Sequence, residues 1–363
     1  MKINPWMMHR QDQRLIGRRD VLKYGAAGAA ALALGGTARA QDRPFTLANF
    51  GGEMVDAHIK AYADPYKAKT GVAVLVDGGS PLPGRIKAMV ESDKVVWDVC
   101  EGDGFSAIDL GRQGLLHEID YSVVDKASIR PDFIYPYGVH TYGYSYVIAY
   151  DKTKFGDHVP TIQDFFDTAR FPGKRSLWKY QLGASEYCLL AEGATPKEIY
   201  GMDVNEHITR ALAKAKSLGD DIFYWDSGSD SQQMFLDEEV VVGVIWSSRA
   251  QFLERETKGR VTWTWDNGMF CPGAHLIPKG TPYLEEAQKF LQFMLTPEQQ
   301  IVALDLGGQG LSNPAAAALL NDVQKRLDPG YPENFAKQFV RDEQWYADNF
   351  DAVSAKWFEG ISS

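Results

Sequence analysis

Arg249 stands three residues after Trp246, where the apolar run 240–246 ends. A guanidinium is a planar fork that pairs with a carboxylate through two parallel hydrogen bonds. An indole face attracts an organic cation. Trp225-Asp226 lies in a loop of Ser, Gly and Asp residues ahead of that run, and Phe50 precedes Gly51-Gly52 at the end of a short strand candidate. Glycines there let backbone N–H groups approach a ligand. Each residue also has a plain structural reading: Trp246 as core, Arg249 in a surface ion pair, Asp226 in a turn. Patterns for covalent or metal chemistry do not occur. The sequence has no GxSxG elbow, HExxH, P-loop or Gly-rich dinucleotide fingerprint, and its seven histidines are scattered. Cys100, Cys188 and Cys271 form no CxxC pair; an odd count leaves at least one unpaired thiol, and buried free thiols are expected. These absences point to a binding protein rather than an enzyme, with no metal and no cofactor.

The elements that must carry these residues alternate. Residues 45–49 read as a strand, 55–70 as a helix stopped by Gly71, 72–76 as a strand, 85–91 as a helix, and 95–100 as a strand followed by a helix to Asp109. This β-α-β-α-β order predicts a parallel sheet with helices on both faces. The aromatic stretch 142–150 reads as a long strand. A second α/β set follows, with helices at 161–168, 185–192 and 205–216 and a buried central strand at 240–246. Segment 275–315 has no third sheet to join, so it is expected to return to the first unit. The fold class is α/β, with two parallel or mixed sheets and flanking helices in two lobes joined by a hinge. The expected boundaries are 41–145 for lobe 1, 146–270 for lobe 2, and 271–363 for the return to lobe 1 and C-terminal helices. Ligands bind beyond the carboxyl ends of strands in open parallel sheets, so the site is expected in the cleft between the lobes.

Residues 1–40 read as a cleaved export signal. Arg10, Arg14, Arg18 and Arg19 precede an Ala/Gly/Leu run at 25–36, and Ala38-Arg39-Ala40 has the small-x-small form of a cleavage site. Arg18-Arg19 with Leu22-Lys23 follows the twin-arginine pattern. Without that segment the chain has 31 basic and 46 acidic residues, a net charge of −15. Such a surface does not suit nucleic acid or anionic membrane. About 320 residues remain, enough for two domains.

In this framework several segments, in order, resemble the periplasmic solute-binding receptors of ABC importers, in the spermidine/putrescine-binding group. They are Pro65 to Val72, Trp97-Asp98-Val99, Gly114 to Asp120, Asp164 to Arg175, Val244 to Ala250, and His275 to Gly280. The resemblance spans nearly all of residues 44–330. It implies a periplasmic-binding-protein fold of type II, a monomer in the periplasm, capture of a small amine by lobe closure, and delivery to a permease in the inner membrane.

Carried over residue by residue, the resemblance places Trp246, Glu186 and Phe50 at ligand-binding positions. It puts Glu53, Asp103 and Gln309 where the group has other site residues. An aspartate that pairs with the ligand ammonium in that group is missing, because Cys271-Pro272-Gly273 stands there. Glu53, Asp103 or Asp226 would have to replace it, since a desolvated unpaired charge costs several kcal/mol. A polyamine such as putrescine or spermidine is the first expectation. The alternative is a zwitterion such as 4-aminobutyrate, with Arg249 at one end and Glu186 or Asp226 at the other.

Overall fold

Short β-branched and aromatic runs in this sequence become strands, and each parallel strand hands over to a helix at a glycine or polar turn. The computed structural model describes residues 43–362; the expected export signal lies outside them. The strands are β1 (Phe45–Ala48), β2 (Val74–Asp77), β3 (Val99–Asp103), β4 (Ile134–Tyr135), β5 (Gly138–Asp151), β6 (Arg175–Trp178), β7 (Ile222–Trp225), β8 (Val242–Trp246), β9 (Val261–Leu276), β10 (Gly310–Leu311) and β11 (Gln338–Val340). The main path is β2-β1-β3-β9-β5-β8-β6-β7. β2-β1-β3 and β8-β6-β7 are parallel trios, and the antiparallel strands β9 and β5 lie between them. The two expected sheets are therefore two halves of one hydrogen-bonded path, because β5 and β9 are long enough to serve both.

The crossing between halves is marked in the register. Tyr146 pairs with Met269 and Ile148 with Thr264, so β9 advances five residues while β5 advances two. The extra residues bulge outward with Asp266 and Asn267 exposed and Asn267 at φ 60°. Such a bulge bends a strand locally and re-aims the residues beyond it.

Core packing follows the same division. On one face of the first half, Phe45, Leu47, Tyr62 and Val99 pack with Phe290, Leu291 and Met294. Part of segment 275–315 therefore packs on this half. The opposite face joins Ile86, Leu110, Leu116, Phe270 and Leu276. The second half is built on Val147, Ile148, Leu177, Trp225, Val242 and Ile245. The 55–70 helix runs from Glu53 to Thr70 with a π-helical turn at Ile59–Ala63. Pro65 has no N–H to bond back one turn, which loosens the ladder there. The helix ends at Gly71 in the left-handed region, φ 81°. The strand expected at 95–100 is displaced to Val99–Asp103, which brings Glu101 into the sheet. All three cysteines are buried and unpaired.

The last helix, Glu343–Ile361, does more than return to the first lobe. Its start is tied to the first half: Glu343 accepts from the Phe105 N–H (2.6 Å) and Asp348 pairs with Arg112 (2.5 Å). Its body lies on the second half, where Tyr346 donates to Glu186 (2.6 Å) and the Trp357 indole N–H donates to the Lys179 carbonyl (3.0 Å). Trp357 is completely buried. Trp357→Ala is expected to cost about 3–5 kcal/mol, read as a lower midpoint in denaturant unfolding.

Candidate functional site

The carboxyl ends of four parallel strands point at one another across the crossing. β1 leads to Phe50, β3 ends in Glu101-Gly102-Asp103, β6 ends in Trp178, and β8 ends in Trp246 with Arg249 in the first turn of the following helix, Ser247–Glu256. Together with Tyr142, Tyr144, Phe105, Gln309 and Phe350 they line a cavity of about 90 Å³. A wider hollow beside Glu198, Glu206 and Arg210 is a surface depression whose arginine is already paired with Glu192 and Glu206, each at 3.1 Å.

Arg249 forms the basic pole. It is 5% exposed, and a cation in the first turn of a helix opposes the helix dipole. Its guanidinium lies against Gly52 on one side and Gly228 on the other, where a Cβ on Gly228 would stand 2.4 Å from Nε. Among the described residues its one ionic partner is Glu53, at 3.4 Å from across the cleft, and that side chain is 50% exposed. The Nε–H has no hydrogen-bond partner among the described residues, nor has the Trp178 indole N–H, and both are buried. A buried donor left unmatched costs about 1–3 kcal/mol. The arrangement suits an incoming carboxylate.

The acidic pole lies on β3. Glu101 is buried; one carboxylate oxygen accepts from the Phe50 N–H (3.2 Å) and the other from the Gln309 amide (2.8 Å). Burial, with Asp103 adding to it, pushes the Glu101 carboxyl up to about 7, against the opposing pull of the Phe50 N–H and Arg249. Asp103 accepts from the Tyr144 hydroxyl (2.9 Å) and pairs with Arg341 (2.9 Å). Arg341 is fully buried and also holds Glu343 at 2.7 Å. Burial works against its charge, but Asp103 and then Glu343 hold it firmly protonated. One guanidinium thus balances one of its two carboxylate partners, and with Glu101 ionised the pole carries a negative excess that an ammonium group would neutralise.

Aromatic walls join the poles. Trp246 meets Trp178 edge-to-face at 5.2 Å, Tyr142 and Tyr144 stack at 6.2 Å, and Phe105 stacks on Phe350 at 5.1 Å. Such walls exclude water, which strengthens the charge pairs inside.

The structure brings Phe50, Asp103, Trp246, Arg249 and Gln309 into this cavity, with Glu53 at its edge beside Arg249. It does not bring Glu186 or Asp226. Glu186 is fully buried in the helix Gln181–Ala191, whose non-helical turn at Leu182-Gly183 folds the Gly183 N–H back onto the carboxylate (3.0 Å). Ser185, Tyr200 and Tyr346 hydroxyls donate to it as well, so its oxygens are occupied by the fold. Asp226 follows β7 on the surface and pairs with Lys179 at 3.1 Å. Residues that sequence reasoning missed are Glu101, Trp178, Arg341 and Glu343. An acidic residue inside the apolar run Val99-Cys100-Glu101 was the available signal for Glu101; Arg341 carries no local signal.

An α/β sheet in two halves with a cavity where they meet is the arrangement of a solute-binding receptor. The chain matches the bacterial extracellular solute-binding protein family over residues 61–332 and belongs to it. The gamma-aminobutyric acid-binding protein of Pseudomonas aeruginosa is 28% identical over 328 residues, which are 90% of this chain and 93% of that one. Among solved structures, the Atu4243-GABA receptor is 30% identical with a TM-score of 0.79, covering 88% of this chain and 97% of its own. AgtB of A. tumefaciens R10, solved with agropinic acid, is also 30% identical with a TM-score of 0.79, over 88% of this chain and 99% of its own. The spermidine/putrescine-binding PotD of Streptococcus pneumoniae is 17% identical with a TM-score of 0.67, over 87% and 99%, a likeness of fold alone. The solute-binding receptor class therefore stands, while the narrower spermidine/putrescine grouping is unsupported. Among the described residues no helix is long and apolar enough to cross a membrane.

Glu186→Ala is expected to destabilise the chain by about 3 kcal/mol or more by stranding buried hydroxyl groups, seen in thermal unfolding. Asp226→Ala is expected to change stability by no more than about 0.5 kcal/mol, as for exposed pairs generally. Gly228→Ala drives a methyl group into the Arg249 guanidinium and is expected to impair solute binding while leaving the far-UV circular dichroism unchanged.

Proposed function

We propose that this protein is the periplasmic receptor of an ABC importer for a compact zwitterionic amino acid of the 4-aminobutyrate type. The observation that carries the reading is the buried Arg249 facing an acidic pole across an aromatic cavity. A dication such as putrescine would bring an ammonium group against that guanidinium, a repulsion that costs most where water is excluded. The cavity of about 90 Å³ also favours a compact solute over an extended polyamine. The solutes named for the P. aeruginosa relative and for Atu4243 support the same choice over the polyamine expectation.

In this reading the ligand carboxylate docks on Arg249, with the Trp178 indole N–H as a second donor. The ammonium meets Glu101, beside the Asp103–Arg341 pair. The halves divide at the β5/β9 crossing, with residues up to about 145 and about 271–342 on one side, and the last helix reaching from that side onto the other. Closure brings Arg249 to Glu53 and Gly52. Twin-arginine export, a monomeric state and handover to an inner-membrane permease complete the proposal, with residues 1–40 removed.

Isothermal titration tests the reading. 4-Aminobutyrate is expected to bind at micromolar Kd or better, which corresponds to about −8 kcal/mol, and putrescine and spermidine at least about 100-fold more weakly. Arg249→Ala is expected to abolish 4-aminobutyrate binding; tight putrescine binding that survives this change would return the polyamine reading. Glu101 must lose its proton to take an ammonium. Affinity should therefore rise about tenfold per pH unit below neutrality and level off above the Glu101 midpoint of about 7. A flat pH profile would remove Glu101 from the ammonium site.

A further inference from the structure

Behind Glu101 a line of buried polar side chains runs into the first half. Asn49 and His58 are fully buried and Gln309 is 5% exposed. The roles along the line are forced in sequence. The Asn49 side-chain oxygen accepts from the Gly51 N–H (2.9 Å), which turns its amide nitrogen toward His58 Nδ1 (3.1 Å). Nδ1 is then an acceptor, so a neutral imidazole carries its proton on Nε2. That N–H donates to the Gln309 Oε1 (3.2 Å), and the Gln309 amide nitrogen is left to donate to Glu101 (2.8 Å). Every donor points the same way, from the backbone at Gly51 to the carboxylate, an arrangement in which each bond polarises the next.

We propose that His58 and Gln309 are positioning residues for solute recognition: the Asn49–His58–Gln309 chain fixes the Glu101 carboxylate for the ligand ammonium. The inference rests on the reading of Glu101 as the ammonium partner. The Gln309 oxygen accepts from His58 and its amide nitrogen donates to Glu101, so Gln309 links the histidine to the carboxylate. Burial keeps His58 neutral, with protonation pushed down to about 4 despite the Gln309 bond, so the chain keeps its direction near neutral pH. The other charged or titratable groups facing Glu101 are Asp103 on its own strand, Tyr142 on β5, Tyr62 on the helix behind, and Arg249 across the cleft.

Two measurements on the mature chain test this. In ligand-free protein, carbon NMR follows the Glu101 carboxyl. Gln309→Met removes the donor and is expected to raise its midpoint by about half a pH unit or more, and His58→Leu, which frees Gln309 to flip, to raise it less. Calorimetry then compares 4-aminobutyrate with butyrate, which lacks the ammonium. Gln309→Met is expected to weaken 4-aminobutyrate about tenfold while butyrate stays within about twofold. An unmoved Glu101 midpoint, or equal losses for both ligands, overturns the proposal. Should 4-aminobutyrate fail to bind the unmodified chain while the Glu101 midpoint still follows Gln309, the ligand assignment falls and the positioning of Glu101 stands.

Discussion

A guanidinium withdrawn from water between two halves of a protein constrains everything around it. Removing such an ion from solvent costs several kcal/mol unless it is well paired. Arg249 has Glu53 at 3.4 Å and an unmatched Nε–H, at a helix start whose dipole opposes its charge. A fold stabilised for its own sake would place a neutral side chain there. The arrangement makes sense when a carboxylate arrives from outside, and the neighbouring parts fit that event. Gly228 leaves space for the guanidinium, Trp178 adds a donor, and aromatic rings exclude water.

The opposite pole obeys the same electrostatics with the sign reversed. Two carboxylates, Asp103 and Glu343, share one arginine, Arg341, and Glu101 stands two residues before Asp103 on the same strand. Arg341 and Glu343 come from the segment that pairs with β9 and then leads into the last helix. That helix continues onto the second half through Tyr346 and Trp357. The acidic pole is thus assembled by chain returning from beyond the second half, and the same segment ties both halves behind the cavity.

The α/β class and the alternation of strands and helices along the chain were legible in the sequence because period and turn signals are local. Phe50, Trp246 and Arg249 were legible as cavity residues for a related reason, since strand ends in a parallel sheet face the cleft. Glu186 was misleading because its role depends on the non-helical turn at Leu182-Gly183, which turns the carboxylate inward onto its own helix start. Asp226 sits at a strand end like the others, yet β7 is the edge strand, so its end opens on solvent beside Lys179. Glu101 was hidden by a strand boundary displaced by four residues at its start, and Arg341 by a pairing that only the three-dimensional register of β9 and β11 creates. The charge at position 249 was also the sequence feature that set the zwitterion alternative beside the polyamine expectation.

The most direct test is a crystal structure of the mature chain with 4-aminobutyrate. The ligand carboxylate should lie about 2.8 Å from the Arg249 guanidinium nitrogens, with the ammonium at a similar distance from Glu101. A ligand bound the other way round, or one that leaves Arg249 on Glu53 alone, would contradict the account.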